Sequence, residues 1–413
     1  MEREVFVYID LNGLPALVGR LWTRVRQKKE SASFEYDQAW LSNSNKFSLE
    51  PALMLSAGSF HTGGDKPIFG AIGDSAPDRW GRALMRRAER RRAKEQKETP
   101  RTLFEFDYLL MVNDFARQGA LRFSLGLDGP FLAVDEGMKI PPLVELPKLL
   151  SAAESITDES ETAEALRLLL APGSSLGGAR PKASVLDSDG KLLMAKFPHR
   201  EDEIDAVRWE ALALELARRS GLTVPKWRLK KIGRKNVLLL SRFDRAGAKS
   251  RQRIPFLSAM SMLDAKDNEF HSYLEIADAL KMHGAKPKED LRELFSRMVF
   301  NILISNTDDH LRNHGFIYQD SDGWRLSPAY DLNPVPVDLK PRILTTHITE
   351  DDGTASLELA YEVASQFELD LKAAQKITKK VGQAVGTWRE VGETLGITKA
   401  ELTRMTSAFE HDN

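Results

Sequence analysis

The chain has 413 residues, 42% hydrophobic and 29% charged, with a formal net charge of −1 and no cysteine. This is ordinary globular composition, long enough for two or three domains, and its balance of charge gives no global attraction for nucleic acid or an acidic substrate. The missing cysteine excludes disulfides, thiolate metal sites and a cysteine nucleophile.

The opening Met1-Glu2-Arg3-Glu4 lacks the apolar core of a signal peptide, and no apolar run approaches the roughly 18 residues needed to span a bilayer. A cytoplasmic chain with no membrane partner is expected. Residues 5–10 alternate, Asn12-Gly13 supplies a turn and 17–22 a return strand, so the chain begins with a hairpin. A further β-like patch covers 32–36. Helical periodicity follows over 78–97 and 103–113, then a strand-like segment at 120–123. Residues 1–128 therefore read as a first α+β unit. The basic run between Arg86 and Lys97 has two readings: the solvated face of a helix end, or a contact for DNA or an acidic partner.

Asp128-Gly129-Pro130 and Pro141-Pro142 mark a linker. In a second unit, 129–254, the segments 183–186 and 192–197 flank Asp187-Ser188-Asp189-Gly190, a hairpin pattern. A helix is expected over 204–219, with Gly221 as its stop and Pro225 beyond, and a strand over 236–241. Before the hairpin lies Ser174-Ser175-Leu176-Gly177-Gly178-Ala179-Arg180-Pro181-Lys182. Its glycines let the backbone approach phosphate oxygens, and Arg180 and Lys182 add positive charge; a simple turn fits it as well. Lys196, in an otherwise apolar strand, either binds an anion or snorkels from a sheet edge. Glu210 is spaced to pair with Lys196 or to serve as surface charge. Ser241-Arg242-Phe243 falls where a hinge would hold adenine.

The third unit, 255–413, is mostly helical. Residues 290–304 carry apolar side chains at helical spacing, ending at Ser305-Asn306. Thr307-Asp308-Asp309-His310-Leu311-Arg312-Asn313-His314 follows as a loop. Residues 315–318 and 324–326 form a hairpin across Asp320-Ser321-Asp322-Gly323, returning the chain to Ala329-Tyr330-Asp331-Leu332. Asp308 and Asn313, five apart, with a later Asp331, have the layout of a phosphoryl-transfer site. There a carboxylate orients the acceptor hydroxyl while an amide and a second carboxylate hold magnesium.

Taken together, these segments resemble the HipA-like serine/threonine kinases, toxin components of bacterial toxin–antitoxin systems. The likeness includes Ser-Ala-Pro-Asp-Arg-Trp-Gly-Arg at 75–82, the 175–182 loop, the Lys196 strand, Arg242-Phe243-Asp244-Arg245, the 306–316 block and Tyr330-Asp331-Leu332. It implies an α+β, bilobal kinase-like fold: a β-rich N-terminal lobe with an extra N-terminal α+β subdomain, and an α-rich C-terminal lobe. It makes Asp308 the catalytic base, Lys196 the phosphate lysine, and Asn313 and Asp331 the magnesium ligands. Nucleotide contacts would come from Gly177, Gly178, Ala179, Arg180, Lys182, Ser241, Arg242 and Phe243, with His310 and Tyr330 beside them. Autophosphorylation would fall on Ser175 or its neighbour Ser174. ATP and magnesium are the implied cofactors. The implied partners are a small DNA-binding, HipB-like antitoxin, which would bring DNA in only indirectly, and a protein substrate such as an aminoacyl-tRNA synthetase.

Two features depart from the family pattern: Arg180-Pro181-Lys182 replaces the common Gln-x-Lys, and Ser241 stands where some relatives have glutamate. A small-molecule or lipid kinase, or a catalytically silent co-repressor in a DNA-bound complex, are the competing readings.

Overall fold

The computed structural model describes residues 2–63, 66–133, 139–173, 178–319 and 323–411. The chain forms two compact units: residues 1–201 with 231–257, and residues 202–230 with 258–413.

In the first unit, five antiparallel strands form a sheet in the order Ser59–His61, Lys29–Tyr36, Leu14–Arg26, Glu2–Leu11 and Leu121–Ser124. Asn12 (φ 55°) and Gly13 (φ 84°) make the predicted tight turn, since both central residues of such a hairpin need left-handed backbone. Gln27 and Lys28 adopt φ of 50° and 64° at the next turn without any Asn or Gly to announce it. The predicted 78–97 helix is Arg79–Gln96. Asp78 caps it by accepting from the Gly81 N–H at 2.8 Å, satisfying an otherwise orphan donor.

A second sheet pairs Lys182–Leu186, Leu192–Lys196 and Lys235–Ser241, antiparallel and in that spatial order. One face is apolar through Val185, Leu193, Ala195, Val237 and Leu239. It packs on Leu149, Leu150, Ile156, Leu166 and Leu169 of the helices Leu146–Thr157 and Ala163–Gly173. Those two helices follow Pro141-Pro142, in a stretch where the sequence reading places no element.

Three buried aspartates in this unit are tied to arginines. Asp244 takes Arg242 in a two-pronged contact, at 2.6 Å to Nε and 2.5 Å to Nη2, and Arg245 at 2.8 Å. Asp114 takes Arg122 at 2.6 Å and Arg253 at 2.8 Å, while Asp10 lies 3.7 Å from Arg122. Burial alone would raise the Asp244 pKa, but its two guanidinium partners hold it well below the usual carboxylate range.

The second unit is helical around one hairpin, Gly315–Tyr318 with Trp324–Leu326. Its helix Ala206–Ser220 ends at Gly221, whose φ of 88° is the left-handed cap the sequence announces. Trp209 of this helix meets Phe409 at 6.1 Å between ring centroids, and Phe409 stacks on Trp388 at 4.6 Å. Pro287–Leu303 begins with proline in its first turn and carries Glu289 and Asp290 where the helix dipole favours acid. It buries Leu291, Leu294, Phe295, Met298, Val299 and Ile302.

Candidate active site

The Pro287–Leu303 helix delivers the chain to the acidic loop through Ser305, a non-glycine residue at φ 50°. Three contacts then shape the loop. Asn306 N–H returns to the Asn301 carbonyl at 2.9 Å. A short 3-10 turn, Leu311–Asn313, forms with the Asn313 N–H on the His310 carbonyl at 2.7 Å. The Asn313 side-chain N–H donates to the Asp308 carbonyl at 2.8 Å. The last bond closes the loop over the five-residue spacing read from the sequence. It leaves the Asp308 carboxyl in solvent, with its side chain 59% exposed and Lys340 3.9 Å away. With the Asn313 nitrogen on the Asp308 carbonyl, its amide oxygen is the side-chain atom that can accept a further partner.

The neighbouring Asp309 is buried. Its carboxylate accepts from the Tyr273 hydroxyl at 2.6 Å and from the backbone N–H groups of Thr345 (2.9 Å) and Thr346 (3.2 Å). Its carbonyl accepts from the Thr346 hydroxyl at 2.6 Å and meets His314 Nε2 at 3.1 Å. Burial pushes the Asp309 pKa up to about 7 against the opposing effect of these donors. Burial likewise pushes His314 down to about 3, so its ring is neutral. Loop and anchor thus divide the labour, one aspartate outward and the next inward.

After the hairpin, Tyr330 donates its hydroxyl to the Arg312 carbonyl at 2.7 Å, fastening the 329–332 segment to the loop. Asp331 has φ 59°, a conformation that costs an L-residue with a Cβ roughly 1–2 kcal/mol. Asn333 donates to its carbonyl at 3.1 Å. Asp308, His310, Asn313, Tyr330 and Asp331 therefore belong to one local assembly. The Asn313 amide oxygen and the Asp331 carboxylate are hard oxygen donors of the kind magnesium takes, with further positions ordinarily filled by water and phosphate oxygens. Among the described residues no group of three or more His, Asp or Glu is arranged to hold a metal.

The remaining candidates lie elsewhere. Lys196 ends its strand in the first unit, buried, directly opposite Lys182. Lys182 is buried with its Nζ 3.0 Å from Asp78, and its carbonyl accepts from the Trp80 ring N–H at 3.0 Å. Asp78 thereby serves a helix cap and a lysine at once. Gly178 has φ 99°, while Ala179 and Arg180 are exposed. Ser174, Ser175 and Gly177 lie outside the described residues. In the predicted hinge, Ser241 and Phe243 are partly exposed, but the Arg242 side chain is taken up by Asp244 and by the Ala116 carbonyl at 3.0 Å. Any adenine contact there falls to the backbone, to Ser241 or to Phe243. Glu210 is buried in the Ala206–Ser220 helix of the second unit.

Sequence reasoning missed Asp309, Tyr273, Asn301, Asn306 and Asn333. One signal was available: Asn301 is a polar residue inside the run Met298-Val299-Phe300-Asn301-Ile302, where burial demands a partner.

A family model described as the HipA-like C-terminal domain matches residues 174–388, more than half the chain. The chain belongs to the HipA-like family. A Haemophilus influenzae protein named "Putative kinase" is 25% identical over 249 residues, covering 55% of this chain and 68% of the relative. A Sinorhizobium fredii protein, "Putative kinase Y4mE", is 23% identical over 57% of this chain and 61% of its own length. The HipA chain from a Shewanella oneidensis complex of HipA, HipB and operator DNA superposes with a TM-score of 0.69 over 97% of this chain and 94% of that one, at 16% identity. The expected α+β, kinase-like fold of HipA is therefore the fold of this chain. No helix among the described residues is long and apolar enough to cross a membrane.

Proposed function

We infer that this HipA-like chain is an ATP- and magnesium-dependent serine/threonine protein kinase and the toxin of a toxin–antitoxin pair. The observation that carries this reading is the loop closed by Asn313 on the Asp308 carbonyl, which holds a solvent-facing carboxylate on a pinned backbone. Asp308 orients the acceptor hydroxyl and takes its proton as the hydroxyl oxygen bonds to the γ-phosphorus of ATP and the bond from that phosphorus to the bridging oxygen breaks, releasing ADP. The Asn313 amide oxygen and Asp331 would hold magnesium, which would supply neutralisation of charge on the phosphates. Lys196 supplies a fixed cation for the phosphates. The 177–182 loop and the 241–243 segment supply the nucleotide contacts.

Ser175 or Ser174 is the proposed autophosphorylation site. A phosphate there adds about −1.5 to −2 charge and opposes nucleotide phosphates. A HipB-like antitoxin is the proposed partner, by analogy with the Shewanella assembly, bringing DNA only indirectly. The proposed substrate is a cytoplasmic protein of translation, such as an aminoacyl-tRNA synthetase.

Incubation with radiolabelled ATP and magnesium, followed by mass spectrometry, tests the reading. Label is expected on Ser175 or Ser174 and should vanish in both Asp308→Ala and Asp331→Ala. Incorporation that survives both changes overturns the site. Growth inhibition that persists in Asp308→Ala favours a non-enzymatic role, and label transferred only to a small molecule or lipid redirects the substrate class.

A further inference from the structure

A line of buried polar side chains runs through the second unit, from the acidic loop to the segment carrying Asp331. At one end Asp309 accepts from the Tyr273 hydroxyl at 2.6 Å. The Tyr273 oxygen accepts from the Asn301 side-chain N–H at 2.9 Å, and the Asn301 oxygen accepts from that of Asn306 at 3.1 Å. The Asn306 oxygen accepts from the backbone N–H of Asn333 at 3.3 Å, and the Asn333 side chain donates to the Asp331 carbonyl at 3.1 Å. Tyr273, Asn301, Asn306 and Asp309 are all buried.

The direction of this line is fixed at the Asn333 end, and at the Asp309 end when that carboxyl is ionised. One Asp309 oxygen is already occupied by the N–H groups of Thr345 and Thr346, so an ionised Asp309 can only accept from Tyr273. The Asn333 backbone N–H can only donate. Every member between them donates toward Asp309 and accepts from the far side. No single member can turn over without setting two donors or two acceptors face to face, which is costly where water is excluded. The far end holds the carbonyl of Asp331, whose φ of 59° is left-handed backbone for a residue with a Cβ.

We propose that this line is a positioning relay, in which Asp309 acts through Tyr273, Asn301, Asn306 and Asn333 to set the backbone of Asp331 against that of Asp308. It rests on the kinase reading of Asp308 and Asp331 and goes beyond it by giving the second aspartate of the loop a task. Asp309 is a positioning residue: its carboxylate is occupied by protein donors and faces away from solvent.

The relay's polarity supplies the test. Asp309→Asn sets an amide N–H either against the Tyr273 hydroxyl, whose own hydrogen then faces the Asn301 N–H, or against Thr345 and Thr346. Asn306→Asp sets a carboxylate oxygen against the Asn301 oxygen. Combined, the two changes allow the whole line to reverse. The amide introduced at position 309 donates to Tyr273, and Tyr273 donates to the Asn301 oxygen. Asn301 then donates to the carboxylate introduced at position 306, which still accepts from Asn333.

Each single variant, and Tyr273→Phe as a shape-conserving third, should lower kcat for ATP-dependent transfer by about 10- to 100-fold. The KM for ATP should stay within about two-fold, as expected when positioning rather than binding is lost. The double variant should return to within a few-fold of the unmodified protein. Amide hydrogen exchange reads the relay without any activity: the single variants should speed exchange over 329–335 as well as 306–314, and the double variant should restore protection. Unchanged protection of 329–335 in all the single variants, or a double variant no better than the product of the singles, overturns the relay. If the unmodified protein transfers no phosphate, the kinase reading fails, and the exchange pattern alone decides the relay.

Discussion

Asp244 and Asp309 are both essentially removed from water, and their acidities move in opposite directions. Asp244 lies between Arg242 and Arg245, and its charge is held by theirs. Asp309 is met by a tyrosine hydroxyl and two backbone N–H groups, all neutral, so burial wins and its pKa rises to about 7. Burial therefore does not decide what a buried carboxylate does; the charge of its partners does. The arginine-bound aspartate is a fixed part of a scaffold. The hydrogen-bonded one stays sensitive to its proton and sits one residue from the carboxylate assigned to chemistry.

The sharpest break in this comparison comes from removing each aspartate. Asp244→Ala strands two buried guanidinium groups and should cost roughly 3–5 kcal/mol in urea unfolding, the usual scale for one half of a buried pair. Asp309→Asn leaves no stranded charge, only mismatched hydrogen-bonding groups, and should cost about 1–3 kcal/mol. Equal losses would mean that partner charge does not separate the two sites.

A pH series sharpens the contrast. The folded pKa of Asp309 is raised to about 7 from an ordinary 3.8, so between these values the folded chain holds the proton more tightly than the unfolded one. Its contribution to stability is full below about 3.8 and is lost as pH rises through about 7. Around it, burial keeps Tyr273 above its ordinary value and His314 near 3, and Arg297 influences both, so neither changes charge between about pH 5 and 8. The stability of Asp309→Asn relative to the unmodified protein should therefore improve from about pH 5 to pH 8, as followed by thermal unfolding. A difference that stays constant would contradict the raised pKa. The smallest expected effect is at Arg91, which pairs with Glu95 in solvent at 3.1 Å. Arg91→Ala should cost about 0.5 kcal/mol or less, marking the value of an arginine–carboxylate pair that water can reach.

Legibility in the sequence followed local chemistry. Asn12-Gly13, the Gly221 stop, the 290–304 periodicity and the 315–326 hairpin were all readable, because each element is dictated by residues within it or beside it. The helices Leu146–Thr157 and Ala163–Gly173 were not read, because the neighbouring prolines suggested linker while their apolar stripes answer to a distant sheet. In the site, the 308/313/331 spacing was visible. Asp309 was not, since a second aspartate in a polar loop looks like turn chemistry until Tyr273, 36 residues earlier, is seen to cover it. Arg242 was read as part of a hinge because it follows a strand; its use is set by Asp244, two residues away, and by the carbonyl of Ala116.

The course of the chain between the units has a consequence for dissection of the gene. The polypeptide passes from one unit to the other at 201/202, again at 230/231 and again at 257/258. A single cut between 257 and 258 would therefore not release the helical unit whole. It would remove the Ala206–Ser220 helix, and with it the Trp209 ring that meets Phe409, leaving an apolar surface open to water. Separate expression of that unit requires the 202–230 segment to be supplied as well, either spliced ahead of residue 258 or added back as a peptide.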